Sequence, residues 1–345
     1  MLRYYKTSLN MMLVLTIITC IGFSYVMMRL AHKIHLPKVI GLLGAGIILG
    51  ATPLKDLFLI PHLETINHLG DFGFLTLMFL AGFEVSWCLL FKERKDAFAL
   101  AITASITPLI LSTIVLKLVG FSWIAAIAVG ICLAITAEAT KATVLLEMKK
   151  LQTKLGAILM GSGIVEEVFG LILFMVLIYF ATGNVMASGL GHLGIAMLLF
   201  AAGILAHNFI GRDKHFLKAI EKWILILLIP FFFISMGTNF SFDAISEQWW
   251  VIPIVIFIGL FGKITGSLLS KPLVNDLSWK QLYLVGWGMS SRGTVEVAIA
   301  FIALELALIP PILYVSIVLN VVVSVLIFPI MMRRMVKQDA KIMDR

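Results

Sequence analysis

The chain has 345 residues, of which 61% are hydrophobic and 13% charged, with a mean hydropathy of +1.05. A soluble domain carries about 25% charged residues, so composition excludes a water-soluble globular protein. The net charge of +8 comes without basic runs interleaved with aromatic residues, which argues against a nucleic-acid partner and points to membrane topology instead.

Crossing a bilayer takes about 20 apolar residues in a helix. Runs of that kind predict about eleven spans, at roughly 10–30, 37–53, 67–90, 97–118, 122–147, 155–181, 188–210, 222–240, 249–270, 280–304 and 311–332. Arg3 and Lys6 precede the first run as they would in a signal peptide. No small-residue cleavage site follows, whereas Arg29, Lys33 and Lys38 do, so residues 1–30 are expected to remain as an extra N-terminal span. The links are short and polar, which predicts a single transporter domain over 1–345 with a cytoplasmic tail at 337–345.

Charge decides the orientation. Of 27 Lys and Arg, only Arg3, Lys6, Lys55 and Lys117 lie on the N-terminal tail or the even-numbered links. Lys141, Lys263 and Arg292 fall inside spans, and the other 20 lie on the odd-numbered links and the C-terminal tail. That bias predicts an N-terminus outside and a C-terminus in the cytoplasm of a multi-pass protein of the cytoplasmic membrane.

The two halves echo each other. Gly82 follows Gly46 by 36 residues, and Gly237 follows Gly203 by 34; Thr136 then follows Gly82 by 54, and Ser291 follows Gly237 by 54. The match aligns spans 2–6 (31–181) with spans 7–11 (188–336). Five spans per copy is an odd number, so the second copy must be inverted. A 5+5 inverted repeat is a plan of secondary transporters, with the binding site near the midplane.

The intramembrane charges follow from these spans. Glu166 and Glu167 sit near the centre of span 6, beside Glu84, Glu138, Glu296, Lys141, Lys263 and Arg292 in other spans. Eight unpaired charges would cost about 20–28 kcal/mol at about 2.5–3.5 each, so they must pair, neutralise or line water. Adjacent acids point about 100° apart on a helix, so one can face a cavity while the other meets a partner. Two close carboxylates repel each other, which suits exchange of a proton for a monovalent cation; the alternative is a pair of structural ion pairs.

Lys263, between Gly262 and Gly266, is either the counter-charge of Glu166 or Glu167 or a lysine snorkelling to the cytoplasmic surface. In G-W-G-M-S-S-R-G-T-V-E (286–296), Gly286, Gly288, Ser290, Ser291 and Gly293 weaken a helix. Arg292 there reads as a brace of that break, with Glu296 its partner one turn on. Thr136-Ala137-Glu138 in span 5 is the equivalent polar patch, either a broken helix offering cation ligands or an intact one with a Glu138–Lys141 pair. Glu84 reads as interfacial, and Asn320 as an interhelical hydrogen-bonding residue.

Cys20, Cys88 and Cys132 lie in separate spans with no metal-ligand spacing, and the histidines lie in or near links. No nucleotide loop, zinc motif or nucleophile elbow is present, so neither a cofactor nor an enzyme activity is expected.

With these residues placed, the chain resembles the monovalent cation:proton antiporter family of bacteria, on the sodium/proton exchanger side. The matching pieces are L-P-K-V-I-G-L-L-G-A-G-I-I-L-G (36–50), F-L-A-G-F-E (79–84), G-I-V-E-E-V-F-G (163–170), P-F-F-F-I-S-M-G (230–237), G-K-I-T-G (262–266) and S-S-R-G-T-V-E (290–296). The resemblance implies an all-α fold in which two interrupted helices, here spans 5 and 10, cross. It also implies a separate helical panel that forms a homodimer. It assigns ion binding to Glu167, a charge-moving cycle to Glu166, and the salt-bridging lysine to Lys263.

The chain departs from the family in having Glu-Glu for the usual Asp-Asp or Asn-Asp, and in its altered Thr136-Ala137-Glu138 patch. A helix or two is also missing between Glu167 and Ala202. The expected function is proton exchange against Na⁺, K⁺ or Li⁺ at the glutamate pair. A potassium-efflux channel-like protein, a sodium-coupled organic-anion symporter and a non-transporting homologue are the alternatives.

Overall fold

In the computed structural model the described residues are 2–33, 38–50, 55, 59–84, 94–151, 153–183, 188–210, 223, 226–274, 276–339 and 342–343. They form fourteen α-helices and one 3₁₀ turn, with no strand among them. The helices are α1 (Leu2–Lys33), α2 (Lys38–Gly50), α3 (Leu63–Glu84), α4 (Arg94–Leu118), α5 (Trp123–Ala134), α6 (Glu138–Glu147) and α7 (Lys154–Thr182). They continue with α8 (Ser188–Ile210), α9 (Ile229–Thr238), α10 (Phe242–Gln248), α11 (Val251–Leu269), α12 (Trp279–Met289), α13 (Thr294–Glu305) and α14 (Pro311–Gln338).

Helix lies on every predicted apolar run. Two runs are each divided between a pair of helices, at 135–137 and at 290–293, and α10 adds a short helix that apolar length does not signal. Five stretches are long and apolar enough to cross a membrane: Met11–Lys33, Lys95–Leu118, Lys154–Thr182, Val251–Leu269 and Pro311–Gln338. Residues 85–93, 211–222 and the side chain of Glu84 lie outside the described set.

The chain divides into two compact units, one of residues 1–82 and 198–242 and the other of residues 83–197 and 243–345. In the first, α9 packs on α2 backbone to backbone. A Cβ on Gly46 would fall on the Phe233 carbonyl, and one on Gly237 would fall on the Gly46 carbonyl. Small residues permit such approach where lipid supplies no hydrophobic drive between helices. Ser235 donates to Asn67 Oδ1 at 2.9 Å, and Lys55 Nζ donates to the Thr238 carbonyl at 2.8 Å.

The second unit is built on α4, which packs against α5, α7 and α11, while α11 also packs on α12 and α14. Gly262 and Gly266 face Pro108 and Thr103–Ala104 of α4, leaving Lys263 between them to turn inwards. The helix ends are marked in the sequence. Ser122 caps α5, Thr153 caps α7, Ser278 forms a capping box with Gln281, and Gly183 closes α7 at φ 66°. Links 148–153 and 270–278 reach one end of this unit. There Lys154 pairs with Asp276, Arg333 with Glu147, and Gln281 Nε2 donates to the Ile342 carbonyl.

Candidate functional site

The site grows from two broken helices laid side by side. The helix α5 stops at Ala134 because Ile135 (ψ 151°) and Ala137 (ψ 113°) are extended. In the other run, α12 stops at Met289 and α13 restarts after Gly293, whose backbone is extended. Ala137 N–H donates to the Ser291 carbonyl at 3.0 Å, and Ser291 Oγ donates to the Ala137 carbonyl at 3.1 Å. Each break thereby satisfies backbone groups of the other, as non-helical backbone at membrane depth requires.

A helix end leaves carbonyls without partners. At the end of α5 three successive ones are taken by cations from elsewhere in the unit. Arg292 Nη1 donates to the carbonyls of Leu133 and Ile135, both at 2.7 Å, and its Nη2 donates to Gly259 at 2.6 Å. Lys263 Nζ donates to the Ala134 carbonyl between them. The negative end of the helix dipole thus sits against two fully buried positive charges.

Lys263 also pairs with Glu166, Nζ to Oε1 at 2.7 Å, with both side chains fully buried. The other donors to that carboxylate are Ser105 Oγ at 3.3 Å and Thr136 Oγ1, which lies against Oε2. Thr136 has a second acceptor, the Met289 carbonyl at 3.1 Å, and a hydroxyl has one hydrogen to give. Glu166 is therefore the floor of the first break, held by an ammonium and two hydroxyls.

Glu167 is buried on a different face of α7. Gly163 and Gly170 lie one turn to either side, between the directions of Glu166 and Glu167. A Cβ on Gly163 would strike Glu138 and Lys141, and one on Gly170 would strike Ile135. The stripe of α7 between Glu166 and Glu167 is thus covered by Ile135 of the first break and by Glu138 and Lys141 of α6. Glu138 pairs with Lys141 at 2.8 Å, and Arg292 Nε stands 3.7 Å from Glu296 Oε2. Asn320 Nδ2 donates to Glu296 Oε1 at 3.3 Å.

Of the residues singled out in the sequence, Thr136, Glu166 and Lys263 are in direct contact, and Ser291 and Arg292 join the two breaks. Ser290 Oγ bonds within its own unit, to the Gly286 carbonyl at 2.8 Å and Leu260 at 3.3 Å. Span 5 is broken at 135–137 and also holds the Glu138–Lys141 pair, and the Lys263 side chain is buried against Glu166. Ser105 was not legible in the sequence, because a single serine in an apolar run is common and carries no spacing signal.

Two stretches, residues 17–224 and 200–338, match the family described as sodium/hydrogen exchanger, transmembrane. Among relatives, the probable Na⁺/H⁺ antiporter GerT of Bacillus cereus is 28% identical over 318 residues, covering 76% of this chain and 83% of its own. The Na⁺/H⁺-K⁺ antiporter GerN of Bacillus cereus is 25% identical over 358 residues, covering 88% and 91%. Among solved structures, the sodium proton antiporter MjNhaP1 from Methanocaldococcus jannaschii superposes with a TM-score of 0.69. It covers 93% of this chain and 96% of its own at 16% identity, a likeness of fold. The chain is a multi-pass membrane transporter rather than an enzyme, and it belongs to the sodium/hydrogen exchanger family.

Proposed function

We propose that the protein exchanges protons for a monovalent cation, Na⁺ or K⁺, across the cytoplasmic membrane by alternating access. One observation carries this reading. Among the described residues of the second unit, four buried carboxylates (Glu138, Glu166, Glu167 and Glu296) stand with three buried cations, Lys141, Lys263 and Arg292. A single further positive charge neutralises the set, and a proton or a monovalent metal ion supplies it equally. Charges held this deep are costly unless balanced, so occupancy by one or the other is favoured over neither.

Glu167 is the acid we assign to the exchanged ion, with Glu166 beside it and Thr136 as a neighbouring oxygen ligand. Lys263 is the counter-charge that Glu166 can release, and Ser290, Ser291, Arg292 and Glu296 keep the breaks together. Lys149, Lys150 and Lys154, between α6 and the first turn of α7, support a cytoplasmic location for that end. The 5+5 inverted repeat supports alternation, each half supplying one interrupted helix. A homodimer through the helical panel completes the reading.

The test is exchange in everted vesicles. Adding Na⁺ or K⁺ to energised wild-type vesicles should discharge the pH gradient, and Glu167→Gln should abolish that response at equal protein yield. Cation-driven pH jumps that persist in the mutant would sink the assignment. Conductance without coupled proton movement would favour the channel-like alternative, uptake of an anionic solute the symporter, and silence of the wild type the non-transporting homologue.

A further inference from the structure

The half-helix α6 carries a buried carboxylate and ammonium that bracing the breaks does not require. Lys141 Nζ donates to Glu138 Oε1 at 2.8 Å and to the Leu159 carbonyl of α7 at 2.6 Å. Both side chains lie directly on Gly163, the glycine that leaves room for them. Glu167 is one turn further along the same face, about 6 Å along the axis. Helical side chains lean towards the preceding turn, so a glutamate at 167 leans towards the level of that pair.

Scaffolding accounts for only half of the arrangement. A carboxylate at the first residue of a helix is favoured by the helix dipole, but an ammonium near the same end is disfavoured. The pair also leaves an oxygen over: Glu138 Oε2 is buried and has no hydrogen-bond partner among the described residues. Glu138 as a whole is 8% exposed, and an unsatisfied carboxylate oxygen at that depth is an expensive thing to keep.

We propose that Glu138 Oε2 is a second acceptor for the exchanged proton or monovalent cation, with Lys141 a tethered ammonium competing for the same carboxylate. This rests on the antiport reading and extends it. Following α7 from the 148–153 link, the level of Gly163 comes before that of Glu166 and Glu167, so a cation entering from that end meets Glu138 first. On its arrival Lys141 gives up Oε1 and keeps its bond to the Leu159 carbonyl, and it takes Oε1 again when the cation moves on to Glu167.

The experiment compares the KM for Na⁺ in proteoliposome exchange for wild type, Glu138→Gln, Lys141→Gln and the double variant. Glu138→Gln, which keeps an amide oxygen for Lys141, should raise KM about tenfold, and Lys141→Gln should lower it by a similar factor. The double variant has no buried charge at this position, so it should fold, and it should show the raised KM. A purely structural pair gives a different pattern: both single variants lose thermal stability with KM unmoved, and the double variant regains wild-type behaviour. That pattern would overturn the proposal, and the double variant alone decides if the single ones do not fold. A wild-type protein without exchange overturns the antiport reading and this one with it. An active wild type beside a double variant of unchanged KM overturns only the second acceptor.

Discussion

The two helix breaks are built from opposite chemistry. The break at 290–293 gives: Ser291 Oγ and the guanidinium of Arg292 donate outwards to carbonyls of the other break. The break at 135–137 takes those side-chain donors on its carbonyls and returns the Ala137 N–H and the Thr136 hydroxyl, and beside it stand Glu166 and Lys263. Arginine stays charged under all conditions and its planar fork fixes two or three acceptors at once, whereas lysine is a point charge on a flexible stem. On the proposed function, one break then serves as a rigid support and the other as the place where charge changes. A broken helix needs both, because a site that releases a cation must not release the backbone.

The sharpest way to break this comparison is Arg292→Met. It strips donors from three carbonyls and leaves Glu296 buried beside a neutral side chain, a loss of about 3–5 kcal/mol in thermal unfolding in detergent. Arg292→Lys should not rescue it, since an ammonium cannot span acceptors on Leu133, Ile135 and Gly259 together.

Glu166→Gln alone should cost a similar amount by leaving Lys263 buried without its carboxylate. Here the double variant Glu166→Gln/Lys263→Gln should recover most of the stability, which no partner change can do for Arg292. The double variant should also lose the response of transport to membrane potential, each net charge moved being worth about 2.3 kcal/mol per 100 mV. A voltage response unchanged in that variant would place the moving charge elsewhere.

Thr136→Val removes the hydroxyl at Glu166 Oε2 and should cost about 1.5–3 kcal/mol, the range for a hydrogen bond to a charged group. The smallest effect belongs to Ser105→Ala. Its bonds to Glu166 and Ala134 are long, 3.3 and 3.4 Å, and about 0.5–1.5 kcal/mol is expected, with exchange retained. A Ser105 variant as damaging as the Thr136 one would mean that the two hydroxyls hold the carboxylate equally.

Much of this was legible before any coordinate. Apolar run length locates the helices, because only a continuous helix satisfies its own backbone in lipid. Glu166 and Lys263 announce each other by the expense of a buried charge, although the sequence left Glu167 as an equal candidate for the lysine. The break at 290–293 shows in its glycines and serines, whereas the one at 135–137 has neither proline nor glycine. It is held open by Arg292 and Lys263 from distant segments, and tertiary bonds of that kind leave no local mark. For the same reason Ser105 and the carbonyls of residues 133–135 were invisible, being defined by who faces them rather than by what they are. The role of Gly163 was hidden likewise, since its lack of a side chain matters only once Glu138 and Lys141 lie on it.

The central claim is that proton and metal cation compete for one neutralising place among the buried acids. The most direct measurement is the apparent KM for Na⁺ in proteoliposomes across a range of pH. The account predicts that KM rises as pH falls, approaching tenfold per unit on the acid side, while the maximal rate at saturating Na⁺ holds steady. A KM independent of pH, or a maximal rate that collapses with KM unchanged, would contradict it.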